Sequence, residues 1–305
     1  MESAPVVRPA RPDEQADALR LLFRDFPAEE RDRRVRSALE LVRSGELDEN
    51  GLLVAPLGDG LAGVLVCLPV PGASALFWPP RSLVDGDRTG REDRLIAHAL
   101  RWVRSRGAKL AQSLLTADEV TLAAPLERNG FRRVTRLWYL ASDLNVPVST
   151  LATPARLEYC PYQPDRPAVF HETLIRTYEG TLDCPEINGL RTIEEVIAGH
   201  KAQGRFDPSR WWLLLEVGQP VGVLLTTLMP ESGDPDVSYV GIVPDSRRRG
   251  FGREVVLKVL FDAKAAGASR VTLSVDARNA PALRLYGALG FVPYDGREVY
   301  LAIWR

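Results

Sequence analysis

The residues best suited to chemistry lie between Val240 and Glu254. An apolar strand-like run ends there at Pro244, which has no N–H to give to a ladder. Asp245 and Ser246 follow, then Arg247, Arg248, Arg249, Gly250, Phe251, Gly252 and Arg253. An amphipathic helix then carries Val256, Leu257, Leu260 and Phe261 on one side. Glycines in such a turn let backbone N–H groups converge and let a ligand approach closely. The opening helix adds unpaired N–H groups and the positive end of its dipole. With the arginines, these groups make a site for a diphosphate. No Gly-Lys-Ser/Thr closes the loop, and its glycine spacing is not that of a dinucleotide fingerprint, so neither nucleotide motif applies.

The elements that must hold this loop follow from the surrounding pattern. The second half predicts strands over 157–162, 211–217, 221–228, 237–243, 270–275 and 300–304. Helices are expected over 165–178, 192–203, 253–266 and 279–289, the last with Asn279 as N-cap, Pro281 in its first turn and Gly290 at its end. Strands alternating with helices predict an α/β (α+β) chain with mixed central sheets. Similar text recurs on either side of the middle. The segment 61–66 resembles 220–225, Gly107-Ala108 matches Gly267-Ala268, and Gly130-Phe131 matches Gly290-Phe291. The offsets are 159 or 160 residues. A near-constant offset predicts a duplicated domain. Residues 146–156, rich in Pro, Ser and Thr, are expected to link a domain over 1–145 to one over 157–305.

Composition narrows the partners. Lys and Arg total 39 against 40 Asp and Glu, a net charge of −1 over 305 residues. Such a balance supplies no basic field for nucleic acid or an anionic membrane surface. No apolar run has the length of a membrane span, and the first residues have no leader-like apolar core. Cys67, Cys160 and Cys184 form no Cys-x-x-Cys pair, and His98, His171 and His200 follow no ligand spacing, so neither disulfide nor metal is expected. A cytoplasmic protein with reduced thiols, monomer or homodimer, is the expectation.

Arg-x-x-Gly-x-Gly between strand and helix resembles the acyl-CoA loop of the GNAT superfamily of N-acetyltransferases. Downstream, residues 279–291, with Asn279, Ala282, Leu285, Tyr286, Gly290 and Phe291, resemble that superfamily's Asn-x-x-Ala-x-x-Leu-Tyr-x-x-x-Gly-Phe helix. The resemblance covers 151–305 and extends faintly to 1–145, making the chain two GNAT-like domains in tandem. It implies acetyl-CoA as co-substrate and a small-molecule primary amine as acceptor, attacking directly in a ternary complex. Gly241, Ile242 and Val243 would pair with pantetheine, with a free N–H at Ile242 or Val243 polarising the thioester. Backbone N–H groups from Arg248 to Arg253 would hold the diphosphate with the flanking Arg247, and Asn279 would bond the cofactor. Tyr286 matches the general acid that protonates the departing thiolate. Asp236 sits where relatives carry a carboxylate base. By alternation it shares a face with Ser238, Val240 and Ile242, and it is either a base acting through water or a turn residue beside Pro235. The acceptor segment is expected at 178–189, with Tyr178, Glu179, Asp183 and Glu186 facing a cationic amine. Cys184 there could be a nucleophile, but with no His near it in sequence a free thiol is the expectation.

The first copy has different residues at the corresponding places. Asp87 stands for Arg247, Glu92 for Gly252, Leu126 for Tyr286 and Glu119 for Asn279, with Gly90 alone retained. A first domain that neither binds acetyl-CoA well nor catalyses is expected. Two alternatives remain for the chain: a non-catalytic CoA-binding or ligand-sensing module, and a transferase acting on protein N-termini or lysines.

Overall fold

The computed structural model describes residues 6–84, 86–145, 156–230 and 232–304. The expected link at 146–156 lies outside the described residues apart from Arg156. In chain order the elements are β1 (Arg8–Pro9), α1 (Gln15–Leu22), α2 (Ala28–Ser44), β2 (Leu52–Leu57), β3 (Gly60–Val70), β4 (Ser74–Phe77), β5 (Arg81–Ser82), α3 (Arg88–Ser105), β6 (Leu110–Leu115), α4 (Ala123–Arg128) and β7 (Arg132–Asp143). The second half gives β8 (Glu158–Pro161), α5 (Ala168–Thr177), α6 (Ile193–Lys201), β9 (Trp211–Glu216), β10 (Gln219–Leu228), β11 (Pro235–Ile242), α7 (Phe251–Ala265), β12 (Arg270–Asp276), α8 (Ala280–Ala288) and β13 (Val292–Ile303). Among the described residues no helix is long and apolar enough to cross a membrane.

Two compact units form. One runs through Val134 and takes up the chain again at Glu298; the other is Thr135–Arg297. In the first, the strand order is β1-β2-β3-β4-β6 followed by the end of β13, where Glu298 pairs with Leu115 and Ile303 with Leu110. In the second, the order is β8-β9-β10-β11-β12 followed by β7, where Asp143 pairs with Arg270 and Leu137 with Asp276. Each sheet is mixed, with parallel β4·β6 and parallel β11·β12 contacts. The last strand of each unit therefore comes from the other half of the sequence, and β13 begins eight residues before the expected strand at Tyr300.

Local sequence explains most boundaries of the second unit. Thr192 and Glu195 form a reciprocal capping box that starts α6. Val217 and Gly218 both take positive φ, 50° and 75°, giving the two-residue turn that matches strand twist and joins β9 to β10. Helix α7 starts at Phe251, two residues before the expected start, because Gly250 at φ 89° turns the chain directly into it. Phe251 is buried, with the guanidinium groups of Arg156 and Arg249 over its ring. One face of the second sheet packs on α7 and α8 through Leu224, Val237, Val255, Leu260, Leu273 and Tyr286. The other face packs on α5 and α6 through Phe170, Leu174, Ile197, Val223 and Leu225.

Candidate active site

Strands β11 and β12 make the site by parting. Their ladder holds Asp236 opposite Thr272 and Val237 opposite Leu273, and extends no further among the described residues. Downstream of that point β11 pairs only with β10. The opening holds a cavity of about 260 Å³ lined by Thr177, Asp183, Ser238, Tyr239, Gly241, Arg247, Ser274, Asn279 and Tyr286, among others. Val243 donates its N–H to Val221 O at 2.9 Å, so it is not a free donor for a thioester. Antiparallel alternation then turns the N–H and C=O of Ile242 and Val240 away from β10 and toward the opening. Of the two expected donors, Ile242 is the available one.

A bulge changes the faces of β11. Leu225 pairs with Tyr239 and Thr226 with Val237, so Ser238 is the extra residue. Asp236 consequently shares a face with Tyr239 and Gly241, and not with Val240 and Ile242 as unbroken alternation predicts. Asp236 accepts a 2.6 Å hydrogen bond from Thr272, and burial pushes its carboxyl above the ordinary range. It is not among the residues lining the cavity.

The loop expected to hold a diphosphate has the backbone shape of a cradle. Arg248 at φ 59° and Gly250 at φ 89° both take the left-handed conformation. Backbone N–H groups of residues 248 to 252 have no hydrogen-bond partner among the described residues, whereas Arg253 N–H is taken by Gly250 O at 3.1 Å. The three arginines have separate tasks. Arg247 donates to Ile242 O at 3.0 Å, to Thr177 O at 3.0 Å, to Glu179 O at 2.7 Å and to Gly180 O at 3.2 Å. It caps the C-terminus of α5 and ties the start of the segment 178–189 to the loop. Arg249 pairs with Glu216 at 2.6 Å. Arg248 is exposed and, among the described residues, carries no ion pair, so its charge is open to an anion. Asn279 accepts from Ala282 N–H as the N-cap of α8, leaving its amide N–H groups for a ligand.

Tyr286 stands on α8 between core and cavity, its ring 5.7 Å from that of Phe291. Burial, reinforced by the Asp183 charge, pushes its phenol above the ordinary range, so it keeps its proton at any physiological pH. Asp183 is the one member of the expected acceptor set that lines the cavity. Burial raises its carboxyl, against a 2.9 Å hydrogen bond from Asp276 N–H. Glu186 is engaged by Arg278 at 2.6 and 3.0 Å, Glu179 points to solvent, and the Tyr178 hydroxyl meets His200 Nε2 at 2.9 Å. Asp183, Cys184 and Asp276 hold ligand-type atoms within 4.8 Å of one another, with the Arg278 guanidinium 2.7 Å from Asp276. Burial, with Asp183 and Asp276 nearby, pushes the Cys184 thiol up to about 12, which keeps it unreactive.

Tyr239, Thr177 and Arg278 were not expected from sequence. The parting of β11 from β12 that puts Tyr239 on the cavity has no signature in a strand of ordinary composition, and Arg278 gains its partner Glu186 only through folding. Behind Tyr178, burial and then the Arg191 charge push the His200 imidazole down to about 4. The folded chain thus holds His200 neutral where the unfolded chain takes a proton near pH ~6.5. Stability is expected in full above that pH and to be lost as pH falls toward 4. Urea midpoints at pH 7.5 and 5 check this, and His200→Gln should flatten the slope.

The corresponding place in the first unit is filled by the chain itself. Asp87 accepts from Gly90 N–H at 3.0 Å at the N-terminus of α3 and pairs with Arg94 at 3.0 Å. Glu92 is buried and pairs with Arg88 and Arg128, Glu119 closes a capping box with Thr116, and Leu126 is core.

Residues 174–291 match the model of a family described as the acetyltransferase (GNAT) family. A mycothiol acetyltransferase of Thermomonospora curvata is 30% identical over 230 residues, covering 70% of this chain and 74% of that protein. Its counterpart in Beutenbergia cavernae is 30% identical over 184 residues, covering 55% of this chain and 58% of the relative's own length. The crystal structure of a GCN5-related N-acetyltransferase from Sphaerobacter thermophilus superposes with a TM-score of 0.62 at 21% identity, covering 97% of this chain and 94% of that one, a likeness of fold.

Proposed function

This chain belongs to the GNAT acetyltransferase family, whose co-substrate is acetyl-CoA, and from that premise we propose that its second unit moves the acetyl group onto the primary amine of a small molecule in a ternary complex. The observation that carries the reading is a strand edge parted from its neighbour, opening a cavity lined by the protonated Tyr286 phenol and by Arg247, which begins a loop of unpaired amides. Residues 248–252 and Arg248 would hold the diphosphate, and the free edge of β11 the pantetheine. The amine nitrogen attacks the thioester carbonyl carbon while Ile242 N–H receives the charge forming on oxygen. The C–S bond then breaks, the thiolate takes the Tyr286 proton, and the nitrogen releases its surplus proton to water. Asp236, one residue before the cavity-lining Val237 and with an elevated carboxyl, would receive that proton through water. Asp183 gives the acceptor end a negative group suited to an ammonium.

The named relatives make the amine acceptor of a mycothiol acetyltransferase the first to try. Release of free thiol from acetyl-CoA, assayed against a panel of primary amines that includes it, tests the reading. Tight acetyl-CoA binding with no thiol release for any amine would favour a ligand sensor instead, and release only with peptides would favour the protein-directed alternative.

We further propose that the first unit is not catalytic. Its anion position is occupied by the Asp87 carboxylate, which Arg94 and Gly90 N–H hold below the ordinary carboxylate range. Isothermal titration is expected to give one acetyl-CoA per chain; two sites would overturn this.

A further inference from the structure

The geometry points to Tyr239 as the residue that selects primary over secondary amines, an inference that rests on the transferase reading. The Tyr239 hydroxyl lies 2.8 Å from Thr177 Oγ1, and Thr177 Oγ1 lies 2.6 Å from Leu174 O. Thr177 has one hydroxyl proton. A carbonyl oxygen and a hydroxyl oxygen at that separation repel unless the proton lies between them, so Thr177 donates to Leu174. Tyr239 must then donate to Thr177. Its oxygen has no other proton and presents only lone pairs to anything else that reaches it.

That oxygen stands beside the reacting edge. A Cβ at Gly241 would meet it at 2.7 Å, so the hydroxyl lies directly over the β11 backbone, and Thr177, Tyr239 and Gly241 all line the cavity with Tyr286. The two phenols therefore have opposite polarity. Tyr286 has no hydrogen-bond partner among the described residues and keeps a proton to give. Tyr239 can only accept. It is not a base, because its hydrogen-bond chain ends on the Leu174 carbonyl, which offers no exit for a proton.

An acceptor-only oxygen beside the nucleophile distinguishes amines by how many N–H bonds survive the reaction. A neutral primary amine has two. One proton leaves as the C–N bond forms; the other remains in the amide and can stay bonded to Tyr239 throughout. A secondary amine must surrender its single N–H, so nothing remains for Tyr239 in the later half of the reaction. The phenol then faces the acyl nitrogen unpaired, at a cost typical of a buried acceptor without a donor.

The test compares S-methyl-L-cysteinamide with its Nα-methyl derivative, whose blocked thiols leave the thiol-release assay clean. In Tyr239→Phe, kcat/KM for the primary amine should fall about tenfold, while that for the N-methyl amine changes less than about twofold. The preference between them thus shrinks about tenfold. Thr177→Val, which frees the Tyr239 proton to turn into the cavity, should reproduce the loss. Thr177→Ser should not, and acetyl-CoA binding by calorimetry should be unchanged in all three. A wild-type enzyme active on the primary amine whose preference survives Tyr239→Phe would overturn this inference alone. Absence of thiol release with both amines and throughout the panel would overturn the transferase reading and this inference with it.

Discussion

Tyr286→Phe is expected to lower kcat by about 10²- to 10⁴-fold, the usual contribution of a positioned general acid, while acetyl-CoA binding persists. The variant removes one oxygen from a ring that otherwise packs among Phe291, Leu289 and the α7 side chains, so the fold should hold. The hydroxyl opens onto the cavity, and burial keeps it protonated. A phenol in that state is a poor acid toward a hydrated thiolate, whose conjugate acid titrates near ~8.5. The departing thiolate is desolvated in the same opening, which raises its basicity in parallel and restores the driving force. Steady-state kinetics with calorimetry of acetyl-CoA binding measures both quantities. A variant retaining more than about a tenth of wild-type kcat would remove Tyr286 from the mechanism.

Asp276→Ala should be strongly damaging to stability, at about 3–5 kcal/mol, the summed cost of several buried donors left without an acceptor at about 1–3 kcal/mol each. The carboxylate is fully buried and accepts from Thr135 Oγ1 at 2.6 Å, Cys184 N–H at 3.0 Å, Arg278 N–H at 2.8 Å and Arg278 Nη2 at 2.7 Å. Burial alone would raise its pKa, but these donors outweigh burial and hold it at about 2. Removing it leaves Arg278 with Glu186 as its acidic partner, strands the Thr135 hydroxyl and two backbone donors, and frees the N–H of Cys184, a residue at φ 43°. Thermal unfolding should show a midpoint lower by on the order of 10 °C. The native pair contributes fully above the unfolded carboxyl value of ~3.9, and that contribution is lost as pH falls toward 2. A midpoint change of about 2 °C or less would show that Asp276 is not the anchor of the segment around Cys184.

The residues that carry the candidate site were legible to different degrees. The loop at 247–253 could be read from glycine spacing because backbone amides form the cradle and glycine decides where backbone can turn. The same text overestimated the arginine side chains: Arg247 and Arg249 are spent on carbonyls and on Glu216, which are distant in sequence. Tyr286 was legible from its motif. Tyr239 was not, because it lines the cavity only where β11 parts from β12, and that parting is set by the neighbouring strand.

Sequence by itself determined the element order of the second half, the mixed α/β class, the repeat at a near-constant offset and the glycine turn at 247–253, since each rests on local periodicity, turn chemistry or backbone freedom. Only the tertiary structure decided that β11 and β12 part after Val237 and which acids remain open to a substrate. It also decided that β7 completes the sheet of the second unit and the end of β13 that of the first. The physical reason is common to all three. A strand's own residues specify its alternation and length, whereas its neighbour is chosen by pairing and burial among segments far apart in the chain, and two similar last strands leave that choice undetermined until the whole molecule packs.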